Sequence, residues 1–242
     1  MKVHFLTPAY DGTVHVTMAW SLMLEIMILK DIGIDATWSF YPGCCYVDIS
    51  RNMLVKEFLE GDYTDAFFID SDVQWVPGAV AKMVQHKQDF VCGLYPYKVD
   101  ELKFPAEYEI GEDRRPIVDP ETGLIKGKRL PTGFMRLKRS VFEKFIEKFG
   151  DDLWVEDHKD PENVIKYQAF FDTPKIGKQK WGEDLHFCNQ WLEMGGEVWI
   201  DPDITFWHHG LKAFKGNFHD YLRNLPGGGG PPEKEWKFEP RT

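Results

Sequence analysis

Two aspartates, Asp70 and Asp72, follow directly after a continuous apolar run at positions 66–69. A run of this length without polar residues is typical of a central strand that is covered on both faces of a sheet. Ligands of open α/β sheets bind outside the carboxyl ends of such strands, and two carboxylates at this spacing can reach one divalent cation that holds a diphosphate. The pair alone leaves a metal-bound diphosphate site and a solvated acidic turn as equal alternatives.

Three further groups of residues have types that suit chemistry, and each also has a structural explanation. Glu183 and Asp184 stand at the start of a predicted helix, where carboxylates stabilise the helix dipole without a catalytic role. His208 and His209 follow a predicted strand, and if the strand continues, their side chains point to opposite faces. Gly133 permits close approach of a ligand to the backbone or marks a β-bulge. None of these groups decides the function by itself.

The elements around these residues predict an α/β architecture. In the first 95 residues, short apolar runs alternate with helical patterns, which is typical of parallel strands joined by crossover helices. The predicted strands of this part lie at 3–6, 34–41, 66–69 and 90–94. The predicted helices lie at about 14–30, 52–60 and 77–86. The first helix is predicted from apolar residues at helical spacing, namely Val16, Trp20, Met23, Leu24 and Met27.

The second half of the chain departs from this alternation. Between 98 and 128, proline, glycine and charged residues predict an antiparallel excursion from the parallel sheet. Beyond it we predict a polar loop at 151–162 and a flexible Gly/Pro-rich tail at 226–242. The remaining strands are predicted at 134–137, 167–171, 198–200 and 204–207, with helices from 140 to 150 and from 184 to 194. The chain is therefore expected to form a single domain over 1–225.

Composition excludes several classes of function. The 242 residues are 43% hydrophobic and carry 29 Lys and Arg against 39 Asp and Glu, a formal net charge of −10. So acidic a chain lacks the basic footprint that binds phosphate backbones, and nucleic acid is not an expected partner. No stretch approaches the roughly 20 apolar residues that cross a bilayer, and the N-terminal apolar run is too short for a signal peptide. We expect a cytoplasmic protein with four idle or buried thiols, those of Cys44, Cys45, Cys92 and Cys188.

Six short motifs, taken in order, resemble those of the GT-A glycosyltransferases, nucleotide-sugar-dependent enzymes with a Rossmann-like N-terminal half and an Asp-x-Asp metal motif. The chain is most similar in outline to the short single-domain glycosyltransferases of bacteriophages, large viruses and bacteria. The resemblance covers about residues 2–218 and implies a mixed, mainly parallel central sheet flanked by helices. The motifs are TPAYDG at 7–12, SRN at 50–52, FIDSD at 68–72, PTGFM at 131–135, GEDLHF at 182–187, and HHG at 208–210 with FKG at 214–216.

The resemblance implies a metal and a donor site at the acidic motif. Asp72 would bind Mn²⁺ or Mg²⁺ against the diphosphate of the donor, with Asp70 on the metal or on the ribose. His208 would be a further metal ligand, and His209 is the less favoured choice, since the family usually has one variable residue between histidine and glycine. Ser71, between the two aspartates, would belong to the same donor site.

Further roles follow from the same resemblance. Arg51 would meet the base or the phosphates, and Gly133 would let the sugar lie against the backbone. Asp184 would be the base of an inverting transfer, and Glu183 would be its neighbour or an acceptor ligand. The nucleoside pocket would be lined by Thr7, Pro8, Ala9 and Tyr10.

The expected function is transfer of a sugar from a nucleotide-diphosphate sugar, UDP before GDP, to a hydroxyl of a glycan, glycolipid or protein. Residues 1–97 would be the nucleotide-binding half and 98–225 the acceptor and catalytic half, working in the host cytoplasm if the source is viral. Three alternatives stay open: a retaining enzyme of the same fold, a metal-dependent nucleotidyl or phosphoryl transferase, and a non-catalytic sugar-binding module. A nucleotidyl or phosphoryl transferase would be expected to have a Gly-rich phosphate loop with a lysine after the first strand. The chain instead has AYDG there, at 9–12.

Overall fold

The computed structural model describes residues 1–157 and 164–226. The strands, in chain order, are β1 Lys2–Ala9, β2 Asp35–Pro42, β3 Asp65–Ile69, β4 Val73–Trp75, β5 Phe90–Gly93, β6 Glu107–Tyr108, β7 Ile125–Arg129, β8 Phe134–Lys138, β9 Trp154–Asp157, β10 Ile165–Gln168, β11 Lys175–Ile176, β12 Gln179–Lys180, β13 Val198–Asp201, β14 Thr205–His209 and β15 Ala213–Asn217. The helices are α1 Val16–Asp31, α2 Val47–Glu60, α3 Ala79–Met83, α4 Arg139–Phe149, α5 Glu183–Glu193 and α6 Phe218–Arg223, with a 3₁₀ turn at Gly150–Leu153.

A mixed sheet of eight strands, in the order β2-β1-β3-β8-β5-β13-β7-β6, forms the centre of the described chain. β1 pairs in parallel with both β2 and β3, and β5 pairs in parallel with β13. Only β8 and β7 run against the other six strands. The predicted α/β class with a mixed, mainly parallel sheet is confirmed. Because β1, β3 and β5 run in one direction, the segments that follow them meet at one edge of the sheet.

Strand β3, which precedes the acidic pair, is packed on both of its faces. Its residues alternate between two cores: Ala66 and Phe68 pack with α2, α4 and α5 on one face of the sheet, whereas Phe67 and Ile69 pack with α1 and α3 on the other. All four side chains are fully buried, as the uninterrupted apolar run predicts. Burial of each large side chain contributes about 1.5–3 kcal/mol, which fixes the strand end from which Asp70 projects.

The second half adds small antiparallel sheets. β14 pairs with β15 on one side and with β4 on the other, so that His208 stands opposite Val73, next to the acidic pair. Two-stranded ladders join β9 to β10 and β11 to β12. The predicted antiparallel excursion is present, but β6 and β7 extend the main sheet beyond β13 instead of forming a separate unit.

Helix α1 forms where predicted, yet it buries a different face from the residues that predicted it. Val16, Trp20, Met23 and Met27 are all at least 59% exposed. The helix is apolar on nearly every side, so spacing alone does not select the stripe that faces the sheet. Its buried residues are Met18, Ser21, Leu22, Glu25 and Leu29.

Several predicted boundaries are wrong. α2 starts five residues earlier than predicted, α3 is shorter than 77–86, and the loop predicted at 151–162 contains β9. β4 and β15 were not expected, because strands of three to five residues leave no clear period in the sequence, and β4 pairs with β14, which lies far from it in the chain. Of the predicted tail, residues 227–242 lie outside the described residues.

None of the helices in residues 1–157 and 164–226 combines the length and the apolar character that a bilayer span requires.

Candidate functional site

The first aspartate of the acidic pair is held by three neighbours at the carboxyl end of β3. The Asp70 N–H donates to the carbonyl of Gly133 at 3.1 Å. Its Oδ1 accepts a hydrogen bond from Nη2 of Arg51 at 3.2 Å, and its Oδ2 accepts from the hydroxyl of Tyr95 at 3.3 Å. Asp70 therefore orients other side chains of the site and has little freedom of its own.

Arg51 of α2 is the cation at the centre of the site, with 4% of its surface exposed. Besides Asp70, it donates through Nε to Oε1 of Glu183 at 3.2 Å, so it links β3 to the start of α5. Burial acts to lower the pKa of Arg51, but the two carboxylates outweigh it and raise that pKa above its ordinary value. Its third nitrogen, Nη1, is buried without a hydrogen-bond partner among the described residues. A buried guanidinium N–H without a partner is a ready donor for an oxygen of a ligand.

Asp72 faces His208. Its Oδ1 lies 3.4 Å from Nε2 of His208, and Lys98 contacts its Oδ2. Burial acts to raise the pKa of Asp72, but hydrogen bonds from His208 and Lys98 outweigh it and lower the pKa to about 2. Nδ1 of His208 is 2.9 Å from the carbonyl of Pro96. Because a carbonyl only accepts, Nδ1 carries a proton, and this contact orients the ring so that Nε2 faces Asp72. With a proton, Nε2 donates to the carboxylate, and without one its lone pair could bind a cation.

Asp72 and His208 fit a divalent cation as two of its ligands. A carboxylate oxygen and an imidazole nitrogen 3.4 Å apart can both reach one ion, and Mg²⁺-type sites commonly take their other ligands from substrate phosphates and water. Asp70, the third predicted ligand, is engaged with Arg51 and Tyr95 instead. Over residues 1–157 and 164–226, no three His, Cys, Asp or Glu side chains converge on one position.

His209 serves a different contact on the opposite face of β14. Its Nε2 lies 2.9 Å from Oγ1 of Thr17 and 2.8 Å from Oε1 of Gln74, and its ring stacks on His15 with centroids 3.9 Å apart. The backbone N–H of His209 also donates to the backbone carbonyl of Asp72 at 2.9 Å. The histidine that was less favoured as a ligand therefore anchors the backbone of the acidic motif to α1 and β4.

Gly133 is required by its neighbours in the protein. A Cβ at this position would overlap Oη of Tyr95 and Oδ2 of Asp70. Its N–H donates to the Tyr95 hydroxyl at 3.2 Å. Burial raises the pKa of Tyr95 well above its usual range, so the hydroxyl keeps its proton and donates it to Asp70. The contacts with Tyr95 and Asp70 thus explain why position 133 is a glycine, whether or not a sugar binds there.

The two acids at the start of α5 differ in their environments. Glu183 is paired with Arg51, whereas Oδ1 of Asp184 accepts only from the N–H of Leu185, at 2.7 Å, among the hydrogen bonds of the described residues. Burial, and then repulsion from Glu183, raise the pKa of Asp184 to about 6. A carboxylate with a pKa near neutrality at the wall of a cavity is a candidate proton acceptor.

Two cavities adjoin at this site. The first, of about 280 Å³, is lined by Arg51, Asp70 and Asp72 together with Pro8, Tyr10, Ser71 and the loop of Cys44 and Cys45. The second, of about 460 Å³, is lined by Asp184 together with Tyr95, Tyr97, Phe104, Arg129 and Pro131. His208 lines both cavities. Thr7 and Ala9, predicted beside Pro8 and Tyr10, point into the interior and are nearly completely buried, because successive residues of a strand face opposite ways.

Sequence reasoning missed Tyr95 and Lys98. Tyr95 follows β5 by two residues, at the same sheet edge as the acidic pair, and that position is the signal from which it could have been found. Lys98 carries no comparable signal. Cys44 and Cys45 were expected to be idle, and both are free thiols beside the first cavity.

No protein-family model matches the sequence, and no curated protein matches it. The crystal structure of A197 from STIV is similar over 87% of this chain and 86% of that chain, with a TM-score of 0.53 and 17% identity. The chain shares the fold of A197. A glycosyltransferase involved in the glycosylation of the major capsid of PBCV-1 is 9% identical over 63% of this chain and 68% of its own, with a TM-score of 0.34. The inositol-1-phosphate CTP transferase from T. maritima is 11% identical over 83% and 84%, with a TM-score of 0.41. At TM-scores below 0.5, these two similarities do not establish a shared fold.

Proposed function

We propose that this chain is a glycosyltransferase that moves a sugar from a nucleotide-diphosphate sugar to an acceptor hydroxyl, with inversion at the anomeric carbon. The observation that carries the proposal is the position of Asp184. It lines one cavity, Asp70 and Asp72 line the adjoining one, and His208 lines both. A donor in the first cavity and an acceptor in the second would meet between the acidic pair and Asp184. The order of the sequence motifs supports the same reading.

Two groups at the first cavity would supply positive charge to the donor diphosphate, namely Arg51 and a bound divalent cation. The buried Nη1 of Arg51 has no partner among the described residues and would donate to a phosphate oxygen. A divalent cation held by Asp72 and His208 would add positive charge against the departing diphosphate. Asp70 and Glu183 hold the guanidinium in place, so Arg51 is fixed before the donor binds.

Asp184 is assigned as the catalytic base. The acceptor oxygen attacks the anomeric carbon while its proton passes to a carboxylate oxygen of Asp184. The bond from the anomeric carbon to the diphosphate oxygen breaks, and its electron pair stays on that oxygen. A pKa of about 6 leaves Asp184 ionised at neutral pH while keeping it a stronger base than an ordinary aspartate. Glu183 is bound to Arg51 and is assigned to positioning.

The test is a donor screen with purified protein. UDP-sugars and GDP-sugars are incubated with Mn²⁺, Mg²⁺ or EDTA, and released nucleotide is measured. We expect slow, metal-stimulated release from one donor, at least about 100-fold lower in Asp72→Asn, since removing one transition-state contact costs about 2.7–4 kcal/mol. The matched control is Asp151→Asn, which changes an exposed aspartate outside both cavities. Its rate should equal that of the unchanged chain.

Other outcomes separate the alternatives. Metal-stimulated release that survives in Asp72→Asn would overturn the assigned metal ligand. Retention of configuration in the product, read by proton NMR, would overturn Asp184 as the base. Pyrophosphate release from a nucleoside triphosphate, with no release from any nucleotide sugar, would favour nucleotidyl transfer. Sugar binding without turnover of any donor would favour a non-catalytic module.

A further inference from the structure

Lys98 holds the carboxylate that the proposed divalent cation needs. Its ammonium contacts Oδ2 of Asp72, while Oδ1 of the same carboxylate faces Nε2 of His208 at 3.4 Å. Both oxygens of Asp72 are thus in contact with nitrogen atoms. The Lys98 and Asp72 side chains are each 36% exposed, so the pair lies at the open rim of the first cavity.

The chain positions Lys98 from three directions. The N–H of Tyr97 donates to the carbonyl of Lys103 at 2.8 Å, which closes a short loop around Lys98. An ion pair between Asp100 and Lys212 ties that loop to the turn between β14 and β15. In the same turn, a Cβ on Gly210 would lie 3.2 Å from Cδ of Lys98, so the lysine methylenes pack against the glycine backbone. The contact with Asp72 is therefore supported by the surrounding fold.

A divalent ion and the Lys98 ammonium compete for one carboxylate. An ion bound by Asp72 and His208 would stand close to the ammonium, and its double positive charge would repel the positive charge of Lys98. The ammonium must therefore move for the ion to bind. A flexible four-carbon stem at a rim that is one-third exposed allows that movement.

We propose that Lys98 is a built-in cation of this site, which holds Asp72 while neither a divalent ion nor a diphosphate is bound and turns to the donor diphosphate when the diphosphate binds. Its presence lowers the affinity of the site for divalent ions and lets nucleotide diphosphate bind without them. The competition with metal rests on contacts of this chain alone. The role toward diphosphate rests on the proposed function.

The first test measures Mn²⁺ binding to the protein alone, by the EPR signal of free Mn²⁺. We expect Lys98→Met to bind Mn²⁺ about tenfold more tightly than the unchanged chain, and the gain to vanish when Asp72→Asn is added. The matched control is Lys103→Met in the same loop, since Lys103 pairs with Glu101 at 2.6 Å and not with Asp72. Mn²⁺ affinity that stays equal or falls in Lys98→Met would overturn the competition.

The second test measures UDP binding in EDTA by calorimetry. We expect Lys98→Met to weaken UDP at least about fivefold, with Lys98→Arg close to the unchanged chain and Lys103→Met identical to it. UDP binding that is unaffected by Lys98→Met would overturn the diphosphate role. If Lys98→Met tightens Mn²⁺ but no variant binds UDP or GDP, either in EDTA or with Mn²⁺ present, the competition stands and the proposed glycosyltransferase function fails. If UDP binds and turns over while Mn²⁺ affinity is insensitive to Lys98, the function stands and the inference about competition fails.

Discussion

Replacing Asp184 by asparagine should stabilise the protein while abolishing transfer. Folding raises the pKa of this carboxyl from 3.8 to about 6, mainly through burial and then through Glu183. The folded state therefore binds the proton more tightly than the unfolded state, and ionisation of Asp184 costs stability as the pH rises between these two values. Asparagine carries no charge, and its Oδ1 can still accept the hydrogen bond from the N–H of Leu185. In the wild type this nitrogen lies 2.7 Å from Oδ1 of Asp184.

The size of the effect follows from the shift. A change from 3.8 to about 6 corresponds to about 3 kcal/mol at 1.36 kcal/mol per pKa unit, and screening of the partly exposed side chain reduces this to about 2 kcal/mol. The full gain applies above about pH 6.5. At pH 4.5 most of the wild-type carboxyl is protonated in the folded state, so the gain falls below about 1 kcal/mol.

Urea unfolding of both proteins at pH 7.5 and at pH 4.5 measures this difference directly. Glu147→Gln, a substitution of an exposed acid on α4, serves as the control and should change stability by less than about 0.5 kcal/mol at either pH. An Asp184→Asn variant that is less stable than wild type at pH 7.5, or that shows the same difference at both values, would refute the reasoning. In the wild type, kcat/KM should rise with pH through about 6 and then level off, because only the ionised carboxylate accepts the proton.

Two further substitutions test how the site is held together. Arg51→Met leaves Asp70 and Glu183 without their buried partner. It should lower the free energy of unfolding by about 3–5 kcal/mol and abolish UDP binding. A loss of less than about 1 kcal/mol in urea unfolding would contradict the stabilising role of these two ion pairs. Gly133→Ala adds a methyl group that overlaps Tyr95 and Asp70, so it should cost about 1–3 kcal/mol and weaken UDP several-fold. An alanine variant with unchanged melting temperature and UDP affinity would show that these side chains move aside freely.

Some features of the fold follow from local patterns in the sequence. The apolar run at 66–69 predicts a strand buried on both faces, because no side of such a strand can face water at low cost. Strand order, by contrast, was not predicted, and neither were β4 and β9. β4 has three residues and pairs with β14, which lies far from it in the chain, and β9 has only four residues, so neither strand shows a clear local period. The buried face of α1 was also missed, since the helix is apolar on nearly all sides.

The candidate site divides in the same way. Residue types and strand period by themselves determined that an acidic pair stands at the end of a buried strand and that His208 and His209 face opposite ways. Tertiary structure decided what each group can do: that Asp70 binds Arg51, that Asp184 is hard to ionise, and that Lys98 contacts Asp72 across 26 positions of sequence. The physical reason is that side-chain direction follows from local backbone geometry, whereas pKa values and ion pairs depend on burial and on charges that only folding brings together.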